Sequence, residues 1–241
     1  MLADIHVVLS HTSHPGNIGA AARAMKTMAL SSLSLVNPQH FPHADATARA
    51  SGADDILAQA RVFDDIDAAL AECQLVIGAS ARTRSIPCPV ISPAECARQA
   101  CAAGNSGRVA ILFGCEQSGL SNAEIDRCHK LVQIPGNPDY SSLNLAAAVQ
   151  IICYELYVAA SAGNDTVDGP EHTMVTAGEM ERFYRHLEQT LVELDFLDPA
   201  NPRQLMRRLR RLFNRARLDE NEVNILRGML SAAQDAVKQQ S

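Results

Sequence analysis

The chain has 241 residues, a formal net charge of -6 and 47% hydrophobic residues. That composition supports a substantial core in one large or two modest domains, and it excludes a disordered chain and a protein coated in basic charge. A local basic patch, and with it a nucleic-acid partner, stays open. No run reaches the roughly 18 uninterrupted apolar residues of a membrane span. No basic segment precedes the first apolar run, so a cytoplasmic protein without membrane contact is expected. The seven cysteines are odd in number and form no Cys-x-x-Cys pair. Reduced, mostly buried thiols account for them better than disulfides or zinc, and no metal is expected.

In chain order, short apolar runs alternate with helical patterns. Residues 5–9, 33–36, 75–77, 109–113 and 131–134 read as buried strands. Residues 18–28, 66–73, 94–103 and 122–128 read as helices between them, and a long apolar stretch over 142–160 closes the series. This alternation predicts an α/β domain over residues 1–162, a mostly parallel sheet covered by helices with right-handed crossovers. The composition then shifts to glycine, aspartate and threonine, which marks 163–178 as a linker. A small helical extension is expected over 179–241. Thr176 and Glu179 have capping-box spacing, and Met180, Phe183, Leu187, Leu191 and Leu194 follow at helical intervals. Pro199 and Pro202 break that helix. Residues 203–217 hold seven arginines and no acid or lysine, set against a stripe of Leu205, Met206, Leu209, Leu212, Phe213 and Ala216. The arginines fit either a solvated face or a phosphate-contacting one. Asp219 and Glu222 cap a last helix.

Four polar loops follow strands or open helices. The first, Asn17 to Arg23 within the segment 14–25, sets Arg23 as a lone cation among glycine and alanine. A helix packed tightly on the sheet and a ligand site both fit it. The second is Ala79-Ser80-Ala81-Arg82-Thr83-Arg84. The third is Phe113-Gly114-Cys115-Glu116-Gln117-Ser118-Gly119-Leu120. It has P-loop glycine spacing without the Lys-Ser/Thr, and an acid stands where a phosphate cradle wants donors. The fourth is Ile134-Pro135-Gly136-Asn137-Pro138-Asp139-Tyr140-Ser141-Ser142-Leu143-Asn144-Leu145, with Ser141 or Ser142 as a natural N-cap of the next helix. Each alone reads as a turn. Three loops leaving adjacent parallel strands converge at one sheet edge, where small-molecule sites form. Dinucleotide, zinc-protease and serine-hydrolase motifs are missing.

Asn17-Ile18-Gly19-Ala20-Ala21-Ala22-Arg23, then Phe113-Gly114-x-Glu116-x-x-Gly119-Leu120, then Ile134-Pro135 with Ser142-Leu143-Asn144, resemble the three ordered motifs of the SPOUT class of RNA methyltransferases. Within that class they are similar to the TrmH-type 2′-O-ribose enzymes, over about residues 4–160. The loop at 79–84, the paired serines and the helical extension are most similar to the subgroup that methylates cytidine or uridine at the first nucleotide of the tRNA anticodon loop. One departure is Ala146, where many TrmH-type enzymes carry a second serine.

The resemblance implies a C-terminal trefoil knot, a feature nearly absent from proteins at large. It implies S-adenosylmethionine bound against Ala79, Ser80, Ala81, Gly114, Ile134, Ser141, Ser142 and Leu143. It further implies a homodimer in which Arg23 of one subunit reaches the cofactor pocket of the other. Arg23 and Ser142 would be catalytic, with Asn17, Glu116 and Asn144 shaping the site. Glu116 reads as an acceptor for backbone N–H groups, and Gly114 as the point where backbone approaches the adenosine. RNA contacts are expected at Arg23, Arg82, Arg84, Arg207, Arg208, Arg211 and Arg215. The expected reaction is methyl transfer to a ribose 2′-hydroxyl of tRNA. A non-catalytic RNA-binding protein of the same fold and an rRNA methyltransferase are the alternatives.

Overall fold

The computed structural model describes residues 2–80, 88–140, 142–162 and 174–240. The chain opens with strand β1 (Ile5–Ser10), helix α1 (Pro15–Thr27) and strand β2 (Ser32–Val36). Two short helices, α2 (Ala44–Ala50) and α3 (Asp54–Ala58), lead to β3 (Arg61–Phe63), α4 (Ile66–Leu70) and β4 (Cys73–Ala79). Then come β5 (Val90–Ile91), α5 (Pro93–Ala103), β6 (Arg108–Phe113), α6 (Asn122–Ile125), β7 (Lys130–Val132) and α7 (Leu145–Ala162). Helices α8 (Ala177–Glu193), α9 (Leu205–Ala216) and α10 (Glu220–Gln240) form the extension.

The strands make one seven-stranded sheet in the order β3-β2-β1-β6-β4-β7-β5. Every pairing is parallel. Such a sheet needs cover on both faces, and its central strands are correspondingly apolar throughout. Ile5, Val7, Leu9, Ile111 and Phe113 point to the face packed under α1, α5 and α7. Val8, Val76, Ala110 and Leu112 point to the other face, under α4 and α6. The order places β1, β6, β4 and β7 side by side, so the four polar loops leave one edge together.

The α/β alternation is as expected, with differences at weak signals. α2 has few large apolar residues to set a period, β3 is an exposed edge, and β5 has only two residues. The helix expected over 66–73 stops at Leu70, because Cys73 already starts β4. The helix expected over 122–128 closes at Ile125 in a tight turn in which Cys128 N–H donates to the Ile125 carbonyl (3.0 Å). β7 ends at Val132 rather than 134, three residues before Pro135. The final helix of the sheet domain starts at Leu145, not at 142. Its cap is Asn144, whose Oδ1 accepts from the N–H groups of Ala146 (2.9 Å) and Ala147 (3.4 Å), in place of Ser142; Ser141, the other expected cap, lies outside the described residues. Residues 81–87 and 141, in the loops that follow β4 and precede α7, lie outside the described residues.

Helix α7 is long and apolar enough to cross a membrane by length and composition. Yet Val149, Ile152, Cys153 and Leu156 pack into the main core of this domain. In the extension, Thr176 and Glu179 form the expected capping box, and Asp219 and Glu222 exchange the matching bonds before α10. Phe183 meets Phe213 edge-on at 5.0 Å, in a core shared with Val175, Met180, Leu187 and Val223. Met174 already bridges Asp219, so ordered contacts with the extension begin before residue 178.

Candidate functional site

The site starts from local backbone requirements. His14 caps α1 by accepting from Gly16 N–H, and Pro15 occupies the first turn, where its missing N–H costs nothing. Gly19 faces α2, and a Cβ there would overlap the Ala46 carbonyl oxygen. Gly19 thus serves close packing, against helix α2 rather than against the sheet as expected. Gly114 is tightly packed as well. A Cβ on it would overlap Gly119 and the Leu120 nitrogen, so it is glycine to let the 114–120 loop fold onto itself, with Gly119 at φ +67°.

Glu116 is the hub. Its Oε2 accepts from Ser13 N–H (2.9 Å) and Ser13 Oγ (2.9 Å). Its Oε1 accepts from Asn17 Nδ2 (2.8 Å) and His14 N–H (3.3 Å). Burial opposes ionisation of this carboxyl, but the hydrogen bonds from Ser13 and Asn17 outweigh it and hold its pKa below the ordinary glutamate value. Asn17 Oδ1 in turn accepts from Asn144 Nδ2 (3.1 Å), and Asn144 caps α7. One relay, Glu116 to Asn17 to Asn144, therefore ties the loop after β6 to the start of α1 and the start of α7.

Beside this relay lies a cavity lined by Ala79, Ser80, Gly114, Ile134, Ser142 and Leu143. The lining joins the ends of β4, β6 and β7 to the approach to α7. Ala81 and Ser141 lie outside the described residues, as do Arg82 and Arg84. The sequence reading missed Phe113, Gln117, Val132, Leu145 and Ala148, which also line the cavity. Val132, Leu145 and Ala148 belong to apolar runs that sequence assigns to core. Their only signal is position, at the strand end and helix start nearest the four loops. Arg23 is exposed, does not line the cavity of its own chain, and forms no ion pair or hydrogen bond among the described residues.

The arginine helix does not present the expected face. Arg211 is 8% exposed and points inward, donating to the carbonyls of Ile125 (3.0 Å) and Cys128 (3.0 Å) and to Cys88 Sγ (2.8 Å). Arg207 forks onto the Asp126 carboxylate (2.5 and 3.1 Å). Arg210 forks onto Glu181 (2.5 and 2.7 Å). Arg211 is thus removed from the expected RNA face, and Arg207 is held by a carboxylate. The helical period predicts one apolar stripe, but α9 is gripped on two sides, by α8 and by the turn after α6. Arg208 and Arg215 remain exposed. Among the described residues no group of three His, Cys, Asp or Glu is arranged to hold a metal ion.

Comparisons with known proteins agree on both parts of the chain. The SpoU rRNA methylase family model matches residues 4–154, and the model of the C-terminal domain of the tRNA methyltransferase TrmJ matches residues 178–241. The tRNA (cytidine/uridine/adenosine-2′-O-)-methyltransferase TrmJ of Pseudomonas aeruginosa (strain UCBPP-PA14) is 51% identical, across 99% of this chain and 96% of its own. The crystal structure of TrmJ from Z. mobilis ZM4 superposes with a TM-score of 0.84 at 33% identity, covering 95% of this chain and 99% of that one. A structure described as giving insights into the 2-OH methylation of C/U34 on tRNA matches with a TM-score of 0.54 at 27% identity, covering 67% of this chain and 99% of that one. The first model spans more than half of the sequence and the second begins within α8, and the chain accordingly belongs to the SpoU methylase family, with a TrmJ-type C-terminal domain.

Proposed function

We propose that the chain transfers the methyl group of S-adenosylmethionine to the ribose 2′-hydroxyl of a tRNA nucleotide, cytidine or uridine at the first position of the anticodon loop. The observation that carries this is the cavity where the loops after β4, β6 and β7 meet, with Ser142 in its lining and Arg23 outside it, exposed and without an ion pair or hydrogen bond among the described residues. Relatives about half identical over nearly the whole chain are tRNA 2′-O-methyltransferases by name.

The cavity's chemistry fits the cofactor. Val132, Ile134, Leu143, Leu145 and Ala148 offer apolar wall for an adenine ring. Ser80, Ser142 and Gln117 offer polar groups, and no lysine or arginine among the lining residues repels a sulfonium. When bound, the cofactor supplies an already activated methyl group. What remains for the protein is alignment of the 2′-oxygen and removal of one proton. A guanidinium keeps its proton under all ordinary conditions and is a poor base. Arg23 instead clamps the phosphate of the reacting nucleotide and stabilises charge developing on the 2′-oxygen. Proton loss is late, or assisted by Ser142.

Arg23 acts across a homodimer in this reading, in the pocket of the partner copy. Its lack of a partner among the described residues supports that, as does the outward face of α7, where Tyr154, Tyr157 and Val158 are 52%, 44% and 43% exposed. Arg208 and Arg215 contact tRNA phosphates.

Incubation with unmodified tRNA and labelled S-adenosylmethionine, followed by mapping of the methylated nucleotide, tests the reading. Label on a ribose of the anticodon loop is the expected result. Label on a base overturns it, as does unlabelled tRNA when an rRNA fragment offered in a parallel reaction is methylated. Arg23→Lys keeps the charge but not the fork, so near-normal single-turnover rates would remove the clamp.

A further inference from the structure

Residues 122–129 connect two walls of the cavity. The loop at 113–119 precedes them, and β7, ending at Val132, follows with Ile134 just beyond it. Ser121 caps α6 immediately after that loop, and its capping partner is Glu124. Three side chains of α9 grip this connection. Arg207 holds the Asp126 carboxylate, Asn214 Nδ2 donates to the Asp126 carbonyl (3.1 Å), and Arg211 takes the carbonyls of Ile125 and Cys128. Asn214 is itself fixed, because Tyr184 of α8 donates to its Oδ1 at 2.7 Å.

Arg211 is the costly member. Its guanidinium is buried and no carboxylate among the described residues pairs with it; its Nε has no partner there. Taking an arginine out of water without a counter-charge opposes folding. An apolar side chain would dock α9 without that cost. What only a guanidinium does is hold acceptors on separate segments in one plane. Here those are the turn after α6 and Cys88, just before β5. Pro89 accepts from Leu131 N–H of β7 at 2.8 Å, so the same grip fixes β7 from its β5 side. On its other side, Ala79 of β4 pairs with Val132, and Ser80 N–H donates to the Val132 carbonyl at 3.0 Å.

We infer that α9 is a positioning element for the cofactor cavity, with Arg211 as its principal positioning residue, in addition to any contact the extension makes with RNA. The inference rests on the reading of that cavity as the S-adenosylmethionine site. Displacing residues 122–129 moves both the 113–119 loop and the β7 wall, and catalytic geometry is sensitive to displacements of about 1 Å.

The test uses the full chain, S-adenosylmethionine calorimetry and steady-state tRNA methylation. Arg211→Met is expected to weaken cofactor binding and to lower kcat about tenfold each, with KM for tRNA changed by less than about twofold. Arg211→Lys recovers part of both, since an ammonium still reaches a carbonyl. Arg210→Met breaks the Glu181 pair inside the extension and leaves cofactor affinity unchanged. Loss of melting temperature alone in Arg211→Met, or a rise in KM for tRNA alone, overturns the inference. If Arg211→Met does not fold, Asn214→Ala carries the test, and unchanged cofactor affinity there is equally fatal. A wild-type chain that binds no S-adenosylmethionine overturns the reading of the cavity, whereas an active wild type with indifferent variants overturns only the role of α9.

Discussion

Glu116→Gln separates a structural carboxylate from a catalytic one. In the native site the two oxygens accept four hydrogen bonds, two each. A glutamine keeps one accepting oxygen. Its best orientation turns that oxygen to Asn17 and His14, since the Ser13 hydroxyl can rotate to accept from the new amide. Ser13 N–H then faces an amide donor and loses its acceptor. A half-buried backbone donor without a partner, together with the lost charge on three remaining bonds, costs about 2 kcal/mol after allowance for solvent. Urea denaturation at neutral pH reads this directly. The pH dependence has a defined sign. The folded pKa of Glu116 is depressed, so its contribution is present above the unfolded value of about 4.3 and is lost as pH falls through the lower folded value. The wild type therefore loses its advantage over Glu116→Gln on acidification. Because Asn17 also holds Asn144, cofactor affinity falls with the same substitution. Equal stability of the two proteins at neutral pH, or a variant that folds normally but has lost only the chemical step, would refute the hub.

Three further outcomes are expected. His129 is buried, accepts from Val76 N–H at 3.0 Å, and is pushed down to about 4, first by burial and then by Arg217. Its neutral form stabilises the fold fully above the unfolded value of about 6.5, and acidification from there to about 4 removes roughly 3 kcal/mol; His129→Gln should flatten that loss in urea midpoints, and an unchanged acid profile would exclude His129 as its source. Gly114→Ala places a Cβ into Gly119 and Leu120 and should cost about 3 kcal/mol or abolish cofactor binding, so a variant with native stability and affinity would show that the loop yields. Arg208→Gln and Arg215→Gln should each lower the salt slope of tRNA binding by about 1 and leave cofactor affinity alone; unchanged slopes would place the RNA elsewhere.

The amino-acid sequence determined the α/β alternation, the ordered polar loops and the capping of the extension. Each rests on contacts within a few residues, such as Thr176 with Glu179, or on apolar runs whose period any neighbour would satisfy. It also marked Asn17, Glu116 and Asn144 as a set. Tertiary structure decided what they do. Their hydrogen bonds join residues about a hundred positions apart, which no spacing rule reaches. The weakly apolar α2 and the two-residue β5 exist because neighbours pair or pack with them, not because they specify themselves. The arginines of α9 show the difference most clearly. Sequence counts seven cations on a helical segment, but charge alone does not say which side is solvent. Only the docking of α9 onto the turn after α6 turns Arg211 into a buried ligand of backbone carbonyls and leaves Arg208 and Arg215 outside.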